Sequence, residues 1–269
     1  GFNAGVQLDI DASKTQSESH QTSSVASHLS GQNIRIKTGS GNAGETTGNT
    51  LIQGSHLAAN DNIEIDTGNL AITASQDTAS AQTQSEQGHI TVAQTFYGAA
   101  GGPTANASLD RSQNRDRQTS YNNSALNADN IRLTTSGDAE LTGANVHANN
   151  QLDVDIAGDL NVESQQNRAS GSNSSAGISG GFGTNEGDVS SVNGGFNSAN
   201  GRYQSKETVL TSLTSGGQAN IDVGGHTQIT GALVATVDEE GKDLGNLNLS
   251  TGTLDYADLS NTDYSSQQS

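Results

Sequence analysis

The feature that most constrains this chain is a block of brief apolar alternations that occurs three times at a nearly fixed spacing. In residues 130 to 162, NIRLTTSGDAELTGANVHANNQLDVDIAGDLNV, apolar residues fall at every second position in short bursts: Ile131 and Leu133, then Leu141, then Leu152, Val154 and Ile156, then Leu160 and Val162. Gly, Asn and Asp separate the bursts, the pattern of short half-buried strands joined by tight turns. Related blocks occupy residues 33 to 72 and 220 to 256. Gly54, Gly143 and Gly231 each follow a short strand, at steps of 89 (143 − 54) and 88 (231 − 143) residues. Ile72 to Ile131 and Val162 to Ile221 are both 59 positions apart. Equal spacers between matching strands identify a repeat protein.

Composition decides what the repeats can build. Only 30% of the residues are hydrophobic and 3% aromatic, with no Trp, Met or Cys and a single proline, Pro103. A compact core of large side chains cannot be assembled from that list, because little area is available to offset the ordering entropy of the chain. Disordered polar chains have no reason to keep a period of two, so a solenoid with a narrow aliphatic core is the better account. The expected fold is all-β, a right-handed parallel β-helix of five or six turns with long β-hairpin excursions between the repeat blocks. Ile34 and Ile36, Ile131 and Leu133, and Ile221 and Val223 are expected to supply comparable inward rows, with Asn33, Asn130 and Asn220 at turns.

The expected organisation runs from the tail of a preceding excursion (1–32) through block 1 (33–72), excursion 1 (73–129), block 2 (130–162), excursion 2 (163–219) and block 3 (220–256) to a polar tail or linker (257–269). A Gly-rich insertion at 39–49 reads as a longer loop. Each excursion reads as a two-stranded ribbon of Ser, Thr, Gln and Asn with a Gly-rich apolar middle: GHITVAQTFYGAAGG at 88–102, AGISGGFG at 176–183 and VNGGF at 192–196. Ile90, Val92 and Phe96 share one strand face, as do Ile178 and Phe182; with Tyr97 and Phe196 these are the candidate membrane or partner contacts. Such ribbons either fold back over the flank or edges of the solenoid, the reading preferred on sequence, or meet a membrane as a set.

Several chemistries are disfavoured. A net charge of −18, from 29 acidic and 11 basic residues, opposes binding to a phosphate backbone, so no nucleic-acid partner is expected. Without Cys there is no disulfide or thiolate metal site, and no apolar run reaches the roughly 18 residues of a transmembrane helix. The acid pairs Asp9 and Asp11, Glu64 and Asp66, and Asp153 and Asp155 alternate with Leu or Ile and should face outward as a solubilising surface; no metal site is assigned. The six histidines follow no ligand spacing. Some parallel β-helices act on polysaccharides, but no acidic cluster or aromatic platform for a sugar is legible, and neither a catalytic residue nor a cofactor is assigned.

The order of these segments carries a resemblance. A glycine-rich SAGISGGFG (175–183), a polar RYQSKETVLTSLTSGG (202–217), the strand pair NIDVGGHTQITGA (220–232) and a closing IAGDLNVESQQN (156–167) together resemble the haemagglutinin repeats of bacterial filamentous haemagglutinins. These belong to the exported partners of two-partner (type Vb) secretion, which include adhesins and contact-dependent growth inhibition effectors. The resemblance covers nearly the whole chain. It implies a secreted, β-helical filament segment on the surface of a Gram-negative cell, with an outer-membrane secretion pore as partner during export. It further implies either help in carrying a C-terminal toxin through a target cell's outer membrane or a stalk for adhesion to a surface receptor. The Asn-Pro-Asn-Gly or Asn-Pro-Asn-Leu signature of the secretion domain and any recognisable toxin are missing, so the chain reads as an excised piece, neither exported nor toxic alone.

Overall fold

The computed structural model describes residues 4–39, 47–97, 101–185 and 188–269. The middle of the Gly-rich insertion and part of the first excursion tip lie outside them. Among the described residues there are strands and turns but no helix. The chain opens with β1 (Ala4–Thr22), then runs through the shorter β2 (His28–Lys37), β3 (Asn49–Gln53), β4 (His56–Thr67) and β5 (Asn69–Thr73). A long hairpin, β6 (Ser75–Tyr97) and β7 (Pro103–Asn122), precedes β8 (Ser124–Thr135), β9 (Ala139–Thr142), β10 (Ala144–Ile156) and β11 (Leu160–Glu163). A second long hairpin, β12 (Gln165–Asn185) and β13 (Asp188–Val209), leads to β14 (Ser212–Ser215), β15 (Gln218–Thr230), β16 (Leu233–Thr236), β17 (Leu247–Ala257) and β18 (Thr262–Gln268).

The short strands form one curled parallel sheet, ordered β2-β4-β8-β10-β15-β11-β9-β5-β3, with β14, β16 and β17 attached. It curls because β15 serves both limbs. Gln218–Val223 pairs with β10, Thr227–Thr230 pairs with β11, and the chain bends between them at Gly224 and Gly225. A Cβ at Gly224 would lie 2.5 Å from the Ala157 carbonyl oxygen, so the corner has no room for a side chain.

Parallel register stacks like on like. One column runs Leu29, Leu57, Leu126, Val146, Leu213, Val234; a second runs Ile34, Ile63, Ile131, Leu152, Ala219, Leu247. A third runs Ile36, Ile65, Leu133, Val154, Ile221, Leu249, and a fourth Ile52, Ile72, Leu141, Val162, Ile229. The interior members are buried, and these columns are the hydrophobic core. Each fully buried Ile, Leu or Val is worth roughly 1.5–3 kcal/mol of transfer free energy, which is how small aliphatics suffice. An asparagine ladder follows the outer corner, Asn130 donating to Asn62 (3.1 Å) and Asn62 to Asn33 (2.6 Å).

The third block is offset from the sequence alignment by two residues. Ile221 stacks in the column of Leu133, not that of Ile131, and Asn220 lies opposite Asp153 within a strand instead of continuing the turn ladder. The alternation fixed which way these side chains face, but a shift of two preserves the face and leaves the register open.

The 88–89-residue repeat resolves into two courses of the parallel sheet plus one hairpin. Gly54, Gly143 and Gly231 have φ of 53°, 77° and 56°, and after each the chain passes directly into the next course. The matching positions Ala74 and Ser164 stand where the chain instead leaves for a hairpin. Main-chain bonds join all five in one ladder: Gly54 N donates to Thr73 O, Ala74 N to Thr142 O, Gly143 N to Glu163 O, Ser164 N to Thr230 O and Gly231 N to Ala257 O. Both hairpin roots are closed by a buried hydroxyl. Ser124 Oγ donates to Thr73 O and Thr211 Oγ1 to Glu163 O, each at 2.7 Å. Re-entry is early, so 124–128 and 212–215 already belong to the parallel sheet.

The long strands form a separate six-stranded antiparallel sheet, ordered β1-β6-β7-β12-β13-β18. This corrects the expectation of separate two-stranded ribbons folding back on the flank. The hairpins instead pair with each other, β7 against β12 from Gly183↔Thr104 to Arg168↔Thr119, and the side chains of β1 and most of β13 are exposed. The reason is dimensional. Two courses of parallel sheet advance about 9.6 Å, the width of two paired strands, so hairpins rooted two courses apart meet edge to edge. Residues 262–268, for which fraying or a linker was expected, extend the same sheet as β18 against β13.

Candidate interaction face

Residues directly opposite one another in an antiparallel sheet share a face. Three successive rows therefore follow from register: Ala12, Gly88, Leu109, Ile178, Phe196; then Ile10, Ile90, Ala107, Gly180, Gly194; then Leu8, Val92, Ala105, Phe182, Val192. Every member is apolar or glycine, and Val6 and Pro103 continue the face toward the tip on either side of Gln94. Nothing among the described residues covers it: Ile178 is 60% exposed, Val192 78% and Phe196 77%. A shallow apolar groove of about 520 Å³ lies along it between Ile10, Ile90, Leu109 and Ile178.

Of the residues singled out in the sequence, Ile90 and Val92 lie on this face with Ile178, Phe182 and Phe196, brought together from two hairpins, while Phe96 is exposed beside them at the register shift between β6 and β1. Tyr97 lies opposite Ala4 in the backbone register, and its side chain is outside the described residues. Sequence reasoning missed Val6, Leu8 and Ile10 from β1, Leu109 from β7 and Val192 from β13. The signal was present in GVQLDID, whose V-x-L-x-I alternation matches that of ITVAQTF.

Toward the roots the same face changes character. Lys14, Arg111, Arg115, Arg117, Arg168, Arg202 and Lys206 all keep its parity, seven of the chain's 11 basic residues. Glu86 and Glu18 are the acids among them. Glu86 is paired with Arg111 at 3.4 Å, and Glu18 contacts His20 at 3.0 Å. The opposite face carries Asp9, Asp11, Asp77, Asp110, Asp116, Glu207 and Asp263, with no Lys or Arg in the paired strands.

That acidic face is internally bonded. His89 Nδ1 meets Asp11 Oδ1 at 2.6 Å, and Thr91 Oγ1 donates to Asp9 Oδ1 at 2.7 Å. The Thr91 and Gln7 hydrogen bonds hold the Asp9 carboxyl below its ordinary range, and those from Ser24 do the same for Asp77. Tyr203 lies across Gly171 and donates to Asp116 at 3.0 Å, which raises the phenol's pKa. No three His, Asp or Glu side chains converge on a possible metal position among the described residues.

Comparison with known proteins places these features in a family. The hemagglutinin repeat family matches residues 8–174. A tRNA nuclease CdiA of Escherichia coli strain NC101 is 26% identical over 96% of this chain, which covers 8% of that protein. A deoxyribonuclease CdiA of Yersinia pseudotuberculosis is 30% identical over 86% of the chain, covering 21% of the relative, and one from Dickeya dadantii is 27% identical over 96%, covering 8%. The chain thus spans only 8% to 21% of the length of these relatives, and no solved structure matches it. With two sheet courses and one hairpin per repeat, and with such relatives along nearly its whole length, this chain belongs to the hemagglutinin repeat family, as a repeat region of the CdiA kind.

Proposed function

We propose that this chain is a non-enzymatic repeat segment of a secreted exoprotein at the Gram-negative cell surface, and that it assists delivery of a C-terminal toxin into target bacteria. In this reading the curled parallel sheet is a right-handed β-helical stalk, exported through an outer-membrane pore. The antiparallel sheet is its working part, and its apolar face contacts the outer membrane of the target cell. The observation that carries the reading is the alignment of apolar rows from five strands onto one uncovered face. A stalk built only to extend or adhere has no use for such a surface, which costs solubility.

Dimensions narrow the mode of contact. From Ala12 to Val6 the apolar rows run about 20 Å at roughly 3.4 Å per residue, against about 30 Å for a bilayer's hydrocarbon core. Over the apolar rows the sheet also has two open edges, β1 and β13, because β18 pairs only with Asn200–Lys206, and unpaired backbone groups are costly in lipid. The face therefore lies in one leaflet and does not span.

Co-flotation of the purified chain with outer-membrane lipid vesicles tests this, beside a Phe96→Asp/Phe182→Asp variant checked for β structure by circular dichroism. Binding that the double substitution abolishes supports the reading. A folded parent chain that ignores lipid at every pH and salt concentration tried would return the molecule to an adhesive or spacer stalk.

A further inference from the structure

We infer that the basic part of the same face is a phosphate-binding groove that recognises the headgroups of a membrane amphiphile whose acyl chains meet the apolar rows. The inference rests on the lipid-contact reading above and adds the chemical class of lipid and the residues that select it.

The groove is built by alternation of long and short side chains across three strands. In one row Arg115 on β7, Ser172 on β12 and Arg202 on β13 are directly opposite one another; in the next, Arg117, Ser170, Gln204 and Tyr264 follow. The serines leave a floor between the guanidinium groups, an open groove of about 480 Å³ lined by Arg115, Arg117 and Arg202 with Ser170, Ser172 and Tyr264. Arg guanidinium is suited to bidentate contact with phosphate, and serine and tyrosine hydroxyls supply further donors. Gln113, with its amide oriented to accept, takes a 2.9 Å hydrogen bond from Arg115 Nη2 and steadies that guanidinium. Arg111 is neutralised by Glu86, but Arg115, Arg117 and Arg202 form no ion pair among the described residues.

Charge complementarity selects the occupant. In a chain of net charge −18, three unpaired arginines in one groove are not a solubilising device. The acids lie on the other face, about a sheet thickness away, where a Debye length of about 8 Å at physiological salt largely screens them. The sheet would thus approach an anionic surface with this face toward it. Along β7 the groove begins about 20 Å from Leu109, six residues at roughly 3.4 Å. That distance suits an amphiphile with a large phosphorylated headgroup, with the Arg side chains reaching back toward the lipid by some of it.

The experiment is vesicle flotation of the full chain on two compositions, zwitterionic phospholipid alone and the same lipid doped with a phosphate-rich anionic lipid, across a salt series. At about 1 kcal/mol per basic residue near an anionic surface, replacing three should weaken binding to doped vesicles roughly 100-fold. Arg115→Gln/Arg117→Gln/Arg202→Gln is expected to show that loss, to flatten the salt dependence and to keep the parent's weak binding to neutral vesicles. Equal binding of variant and parent to doped vesicles overturns the proposal. If Phe96→Asp/Phe182→Asp still binds doped vesicles like the parent while the arginine variant does not, the groove stands and the apolar contact fails. If soluble pyrophosphate occupies the groove but doped vesicles gain nothing over neutral ones, the ligand is a free phosphate compound and the lipid assignment falls.

Discussion

The two sheets are made from the same kinds of residue and differ in what their apolar side chains do. In the parallel sheet Ile, Leu and Val stack in columns and disappear from solvent; in the antiparallel sheet the same residue types line up in rows and stay exposed. In both, the interior strands pair on two sides. Only one converts apolar area into its own stability, and the other leaves that area open to solvent.

This contrast is sharpest at its core. Leu133→Ala removes a buried column member and should cost about 2–5 kcal/mol, whereas Leu109→Ala on the exposed face should stay within about 0.5 kcal/mol; urea unfolding of the two variants measures the gap. A large loss at Leu109 would mean that its face is covered. Next come the roots, where the two sheets join. Ser124→Ala leaves the Thr73 carbonyl with the Gly54 N–H as its remaining donor, and Thr211→Val leaves Glu163 with that of Gly143, each costing about 0.5–1.5 kcal/mol. Faster amide exchange should then appear at the foot of the affected hairpin.

Comparable in size is the turn glycine. At Gly143, with φ of 77°, an alanine must adopt a left-handed conformation and its Cβ would fall on that of Ala74, so Gly143→Ala should cost about 1–2 kcal/mol or more. Ala74→Gly, at the matching position where the chain exits, relieves nothing and should cost under about 1 kcal/mol, so thermal melts of the pair compare course-to-course passage with exit. The mildest effect is acid. Because hydrogen bonds lower the folded-state pKa of Asp77 from 3.8, its anchoring of Ser24 is fully present above that value and is lost only as pH falls through the lower folded pKa. Protection of the Ser24 amide, taken relative to its intrinsic exchange rate at each pH, should therefore persist at pH 4 and fall below it, and Asp77→Asn should remove most of that acid dependence.

Much of the parallel sheet was legible in the sequence. The alternation predicted which side chains are buried, and Gly54, Gly143 and Gly231 set the repeat at the positions where the backbone needs positive φ. The acid pairs fall outward as their parity requires, Glu64 and Asp66 meeting Arg35 and Lys37 across the first two courses. Register was less legible, since a period of two cannot distinguish Ile221 beside Leu133 from Ile221 beside Ile131. The antiparallel sheet was the largest omission. Each hairpin was visible alone, but its neighbour is set by how far two courses rise, which the sequence states only once the number of strands per course is known. The basic groove stayed hidden for the same reason: Arg115 and Arg117 are 85 residues or more from Arg202 in sequence, and only the register of β7, β12 and β13 brings them together.

The central claim, that one face of the antiparallel sheet meets lipid, is tested most directly by two adjacent side chains that point opposite ways. The chain has no Cys, so Ile178→Cys and Ser179→Cys each accept a single environment-sensitive fluorophore. On addition of outer-membrane lipid vesicles, the label at position 178 should shift to the blue and become shielded from an aqueous quencher, while that at 179 should report water throughout. Equal shifts at both positions, or none at 178 with the chain folded, would contradict one-sided contact.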